Sequence, residues 1–225
     1  MKIISVVTQK GGSGKTTLCR HIAVGAFLAG YPTVIVDTDP MGGSREWGDR
    51  RDRDPFVIAE QSLNPDHLKR TIDRCRAGGA EVVVIDTAGH HGSIPINAAI
   101  MSDITLVPVR PTPDDLTALW QTVKEMREQK VQFRIVLSQV PTNTQRPRSD
   151  AAALLADNRT PIAPVVIHHK GIVPLSGVTG ETVFEMRGLT EAEQKSVDEF
   201  KALWAWLEGE LGLPAMGQEG MRAVG

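Results

Sequence analysis

The chain has little of what marks a metal centre, a disulfide scaffold or a membrane protein. Its two cysteines, Cys19 and Cys75, lack the paired spacing of a metal or redox motif, and read as packing residues of a reducing cytoplasm. No stretch approaches the roughly eighteen continuous apolar residues of a spanning helix. The apolar opening run carries no cleavage site, so a soluble, cytoplasmic protein is expected. An excess of one charge is missing too: 25 Lys and Arg against 27 Asp and Glu leave a net −2, so any surface for nucleic acid must be local. Aromatics are sparse at 4%, and no basic stretch is interleaved with them, which argues against single-strand base stacking. Neither a repeat nor a linker divides the chain, whose length and 41% apolar content suit one substantial core.

What is present is an alternation of short β-branched runs with longer segments of helical period. Strands are expected over 2–8, 33–37, 57–60, 81–86, 104–109, 133–138 and 162–167. Helices are expected over 15–29, 44–51, 65–76, 95–101, 113–128, 148–157 and 190–211. This pattern implies a single-domain α/β fold, a mostly parallel twisted sheet with helices on both faces. In such a sheet ligands bind beyond the carboxyl ends of the strands, so 11–17, 37–39 and 86–89 should meet at one site. The terminal helix carries Phe200, Leu203, Trp204, Leu207 and Leu211 on one face, and the domain is expected to span 1–211 with a loose Gly-rich tail over 212–225.

Ile3-Ile4-Ser5-Val6-Val7 leads into Gln9-Lys10-Gly11-Gly12-Ser13-Gly14-Lys15-Thr16-Thr17 and then a helical pattern. Strand, glycine-rich loop and helix make a phosphate cradle. Inward backbone N–H groups and the helix dipole favour the anion, Lys15 reaches the β/γ-phosphates, and Thr16 offers a hydroxyl to Mg²⁺. Gln9 stands where the usual loop has its first glycine, and a second lysine, Lys10, lies just inside. The string from Lys10 to Thr17 resembles the deviant Walker A motif of the ParA/MinD family of nucleotide-switched ATPases. That resemblance implies a P-loop NTPase using ATP and Mg²⁺, with Lys15 acting in cis and Lys10 reaching across a homodimer to the phosphates held by the other subunit.

Two further strand ends fit. Asp37-Thr38-Asp39-Pro40-Met41-Gly42-Gly43 places two carboxylates one residue apart; they point the same way if the strand continues and diverge if the turn begins. The segment resembles the family's Asp-x-Asp-Pro-Gln-Gly motif, with Met41 in place of glutamine. By that resemblance Asp39 orients the attacking water and Asp37 supports the Mg²⁺ shell. Val82-Val83-Val84-Ile85-Asp86 reads as a Walker B strand, in which Asp86 would hold Mg²⁺ through water and Gly89 would offer a backbone N–H to the γ-phosphate. His90-His91 suggests a switch loop or surface rather than a metal site, since adjacent histidines point apart.

Later segments also resemble the family. Val107-Pro108-Val109-Arg110-Pro111-Thr112-Pro113-Asp114-Asp115-Leu116 is similar to its turn at the dimer face, and equally reads as a helix start capped by Thr112 or Asp114. The resemblance places the nucleobase near Gln139 and His168. Gly180-Glu181-Thr182-Val183-Phe184-Glu185-Met186 is similar to a late Gly-x-x-Val-Phe-Glu segment. The resemblance covers 1 to about 211 and is greatest with small ParA-like partition proteins. It implies weak, partner-stimulated ATP hydrolysis, a ParB-like or other adaptor, non-specific binding of nucleoid DNA and positioning of DNA or another large cargo. Arg134, Arg146, Arg148, Arg159, Lys170 and Arg187 could supply the basic face. The acidic polar face of the last helix argues against a membrane. The alternative is a metabolic P-loop enzyme, such as an ATP-dependent ligase; an iron-protein role would need two well-placed cysteines.

Overall fold

The structure is a computed structural model that describes residues 1–60, 64–89, 92–143 and 145–214. Six strands form one sheet: β1 Lys2–Val6, β2 Thr33–Asp37, β3 Phe56–Ala59, β4 Val82–Asp86, β5 Ile104–Val109 and β6 Phe133–Leu137. Their spatial order is β3-β2-β4-β1-β5-β6, and every pair is parallel. Parallel strands need crossovers, here supplied by α1 Lys15–Leu28, α2 Gly43–Asp49, α3 Pro65–Ala77, α4 Ser93–Ile100 and α5 Pro113–Glu128. After β6 come α6 Arg146–Asp157, α7 Ile172–Ser176 with a 3₁₀ turn at Gly177–Thr179, and α8 Glu191–Glu210.

Strand alternation divides the core between the two faces. Ile4, Val6, Ile35, Val82, Val84 and Leu106 pack under α1 and α8, whereas Ile3, Val36, Val83 and Ile85 pack under α3 and α4. Val107, Val109, Ile135 and Leu137 meet α5 and α6. With both faces covered the strands can be apolar throughout, as β4 is. The expected stripe of α8 is core: Phe200, Leu203, Trp204, Leu207 and Leu211 are all buried, each contributing roughly 1.5–3 kcal/mol of burial. Trp204 packs so close to α1 that a Cβ on Gly25 would lie 3.3 Å from its own Cβ. The helix starts behave as their caps require. Thr112 accepts from the Asp115 N–H at 3.3 Å with Pro113 following, and Thr190 forms a capping box with Glu193.

One expected strand does not form. Over 162–167 the chain runs beside β6 and makes only isolated bridges, Ile135 to Ile162 and Val140 to His168. Ala163 and Ile167 donate to the carbonyls of Ile135 and Leu137, so four residues of this segment span two of β6: the chain bends at Pro164, and the ladder breaks there. The short α7 was absent from the expected elements. From residue 215 on, the expected tail lies outside the described residues, as do His90 and His91. Among the described residues no helix is long and apolar enough to cross a membrane.

Candidate nucleotide-binding site

β1, β2 and β4 are neighbours in the sheet, so the segments following them meet at its carboxyl edge. Asp37 and Asp86 are register partners on adjacent strands. The phosphate loop turns through Gly12 and Gly14, both at positive φ, and delivers the start of α1 toward this edge. Lys15 is buried at 7% exposure, its Nζ 3.4 Å from the Lys10 carbonyl. Burial pulls its pKa down, and the charges of Asp86 and Asp39 work the other way. Gly89 belongs to the same cradle: a Cβ there would come within 2.8 Å of Lys15 Nζ and 3.4 Å of Gly11 Cα, so a larger residue would press on the lysine head.

The two aspartates of the Asp37-Thr38-Asp39 segment diverge, because β2 ends at Asp37 and the turn begins. Asp37 is buried and accepts the Asp39 N–H at 3.0 Å and the Arg45 N–H at 2.8 Å. Burial raises its pKa and these backbone hydrogen bonds offset part of the rise. Asp39 is half-buried and accepts the Met41 N–H at 3.0 Å. Met41 itself is 82% exposed, so the residue replacing the family glutamine faces outward in this chain.

Asp86 is fully buried, and that burial pushes its pKa up to about 6, with the Ser44 and Thr16 hydroxyls working against the rise. Ser44 Oγ donates to Oδ2 at 2.7 Å, while Oδ1 is buried with no partner. An orphaned buried carboxylate oxygen costs free energy unless something cationic or a donating water completes it. Thr16 and Asp37 stand alongside, so this donor set fits Mg²⁺, a hard cation that keeps several waters. Bound there, the ion would neutralise phosphate oxygens.

Lys10 lies apart from this cradle. Its Nζ is 2.5 Å from Asp115 Oδ1, and Arg110 grips the same carboxylate with Nε and Nη2. Burial would raise the Asp115 pKa, but hydrogen bonds from Arg110 and Lys10 outweigh it and hold the carboxyl below its usual range. Sequence spacing gave no signal for this contact, since Asp115 reads there as a helix-start residue. On the far side, Ser138 Oγ donates to the Ser13 carbonyl at 2.7 Å and Gln139 Nε2 to the Gly12 carbonyl at 2.6 Å. Gln139, His168 and Lys170 line a cavity of 160 Å³ with Gly14 and Thr17, which brings the expected nucleobase residues beside the phosphate loop. Glu199 fixes that wall, accepting from the His168 N–H at 3.0 Å and from Lys170 Nζ at 2.7 Å.

Residues 4–183 match the family described as the CobQ/CobB/MinD/ParA nucleotide binding domain. The chain belongs to this family. It is 26% identical over 198 residues to the maintenance of carboxysome distribution protein A of Gloeobacter kilaueensis, covering 87% of this chain and 89% of that one. It is 27% identical over 132 residues to the protein ParA of Rhizobium radiobacter, 58% of either chain. Among solved structures, the septum site-determining protein MinD of Pyrococcus horikoshii, complexed with Mg-ADP, superposes with a TM-score of 0.74 at 17% identity over 92% of this chain and 96% of that one. As a member of the family, the chain has the nucleotide-binding fold that its loop implied.

The basic residues expected to form one face are not all on one side of the chain. Arg134 is the second residue of β6 and Arg159 precedes the bridge at Ile162, both toward the amino end of the sheet, whereas Lys170 follows the bridge at His168 toward the carboxyl end. Three are also neutralised: Arg134 by Glu210 at 2.8 Å, Arg146 by Asp150 at 3.6 Å and Lys170 by Glu199 at 2.7 Å. Cys19 and Cys75 are free and buried, as packing residues should be.

Proposed function

We propose that this protein is an ATP-driven positioning switch: Mg-ATP joins two copies, the dimer engages DNA and an adaptor protein, and hydrolysis to ADP and phosphate separates them. One observation carries the reading. Of the two lysines in the loop, Lys15 is buried in the cradle while Lys10 is held at the rim by Asp115, an acid that also has Arg110. A lysine in that position is available to a second subunit. Lys10 and Lys15 are then the trans and cis cations, Asp39 positions the attacking water, Thr16, Asp37 and Asp86 serve the Mg²⁺, and Gly11, Gly12, Ser13, Gly14, Thr17 and Gly89 surround the phosphates. Gln139 and His168 face the base.

Duplex DNA is proposed as the surface on which the dimer rides. The positive residues split between the two ends of one chain call for a second subunit to assemble a patch, so DNA affinity should accompany dimerisation and fall steeply with salt. An adaptor of the ParB kind would accelerate a slow intrinsic hydrolysis, and the cargo would be a plasmid, a chromosome or a protein assembly in the cytoplasm.

The experiment is Asp39→Ala with ATP and Mg²⁺. Hydrolysis should fall about 100-fold, roughly 2.7 kcal/mol of transition-state stabilisation, while the dimer persists. Hydrolysis at the parent rate would remove Asp39 from the water-positioning role.

A further inference from the structure

Both carboxylates of the metal end of the site are held by one short element, the first turn of α2. Ser44 donates its hydroxyl to Asp86 and Arg45 its backbone N–H to Asp37. What holds that turn in place comes from the phosphate-loop helix. Arg20, one turn beyond Thr16 on α1, donates Nη2 to the Gly43 carbonyl at 2.5 Å. Gly43 is packed onto the same helix, where an added Cβ would lie 3.4 Å from Thr16 Cγ2 and 3.7 Å from Arg20 Nη2.

The guanidinium is itself fixed. It lies 5.6 Å from the ring centroid of Trp47, whose other neighbour is Arg51 at 4.3 Å. Trp47 is fully buried and donates Nε1 to the Glu181 carbonyl at 2.9 Å, while Arg51 pairs with Glu185 and donates to the Gly180 carbonyl. Phosphate-loop helix, α2 and the 177–185 segment are thus locked around one indole. A planar guanidinium can stack on the indole and hydrogen-bond in its own plane at once, which an ammonium cannot do as well.

We infer that Arg20 is a positioning residue for the Mg²⁺ site: through the Gly43 carbonyl it holds the first turn of α2, and through that turn it sets the orientation of Asp37 and Asp86. The inference rests on the Mg-nucleotide reading of the site. Arg20 acts through these residues and not on the ion, so two effects of its removal oppose each other. Losing a nearby positive charge favours a cation, whereas losing the strut lets the carboxylates turn away. The sign of the change in Mg²⁺ affinity decides between them.

The test is a fluorescent-ADP titration of the full chain at increasing Mg²⁺, with a parallel titration in EDTA, for the parent, Arg20→Met and Arg20→Lys. Arg20→Met is expected to raise the Mg²⁺ midpoint about tenfold and leave ADP affinity in EDTA within about twofold of the parent, because the phosphate cradle is untouched. Arg20→Lys, which keeps the charge and one donor, should fold as the parent does and raise the midpoint about threefold. A parent-like or lower midpoint in either variant overturns the inference, as does an equal loss of affinity with and without Mg²⁺. If Arg20→Met folds too poorly to titrate, the Arg20→Lys midpoint decides alone. A parent that binds ADP under neither condition would instead refute the nucleotide reading, and the inference would fall with it; a parent that binds with no response in the variants refutes the inference alone.

Discussion

The two ends of the phosphate loop meet opposite surroundings. Lys15 is enclosed by its own chain, close to the Lys10 carbonyl and within 2.8 Å of where a Cβ on Gly89 would lie. Lys10, five positions earlier in the sequence, is tied to one carboxylate at the rim. Asp115 is 3% exposed on its side chain, and leaving it unpaired would be costly, yet Arg110 grips it independently. Lys10 can therefore leave without stranding a buried charge. Lys15 has a finished site within the subunit, while Lys10 has an interim partner.

The sharpest way to break this contrast is to remove each lysine in turn. Lys15→Ala should cost at least about 100-fold in ATP affinity, roughly 2.7 kcal/mol, measured by calorimetry. Lys10→Ala should bind ATP within about threefold of the parent and fail to dimerise; unchanged ATP-dependent dimerisation would defeat the trans assignment. A smaller and opposite effect is expected when the interim partner is weakened. Asp115→Asn keeps shape and an acceptor for Arg110 but releases Lys10, so the dimer should form at several-fold lower ATP; a higher ATP requirement would mean that the Lys10 contact helps dimerisation.

A separate effect, on stability and not on nucleotide, concerns two buried titratable groups behind the loop. His21 stacks on Phe200, sits 2.8 Å from the Thr17 carbonyl through Nδ1 and accepts the Val183 N–H at Nε2. Burial lowers its pKa from 6.5 to about 4, so between these values the unfolded chain binds the extra proton. Stability tied to His21 is complete above about pH 6.5 and declines as pH falls to about 4, by roughly 3 kcal/mol in all. Asp86 has the opposite sign. Its pKa is raised from 3.8 to about 6, so the folded state holds the extra proton in that window and its contribution falls as pH rises. In metal-free protein, Asp86→Asn should therefore lose thermal stability faster than the parent between pH 6 and 4, and His21→Gln more slowly. Parallel melting profiles for all three would refute the linkage.

Much of this site was legible in the sequence because its residues stand where apolar strands stop. Asp37 and Asp86 close apolar strands, Lys15 and Thr16 open the helix that the glycine-rich loop joins to β1, and parallel pairing brings them to one edge. The contacts that separate the two lysines were not legible. Lys10 and Asp115 lie far apart in the chain, and the Pro113-Asp114-Asp115 segment has a sufficient local explanation as a capped helix start. Arg20 shows a similar gap: one charged residue in an apolar helix is a signal, but its partner is a backbone carbonyl that no pattern reveals. The seventh strand failed where the chain bends at Pro164 and four residues come to span two of β6, a break that the β-branched residues around it do not reveal. The five-residue α7, with Pro174 inside it, is too short to show a helical period.

The most direct test of the central claim is the mass of the full chain by light scattering in Mg-ATP, in Mg-ADP and without nucleotide. A dimer in Mg-ATP and a monomer in the other two conditions is the expected result. One unchanging species in all three would contradict a switch in which Lys10 serves a second subunit.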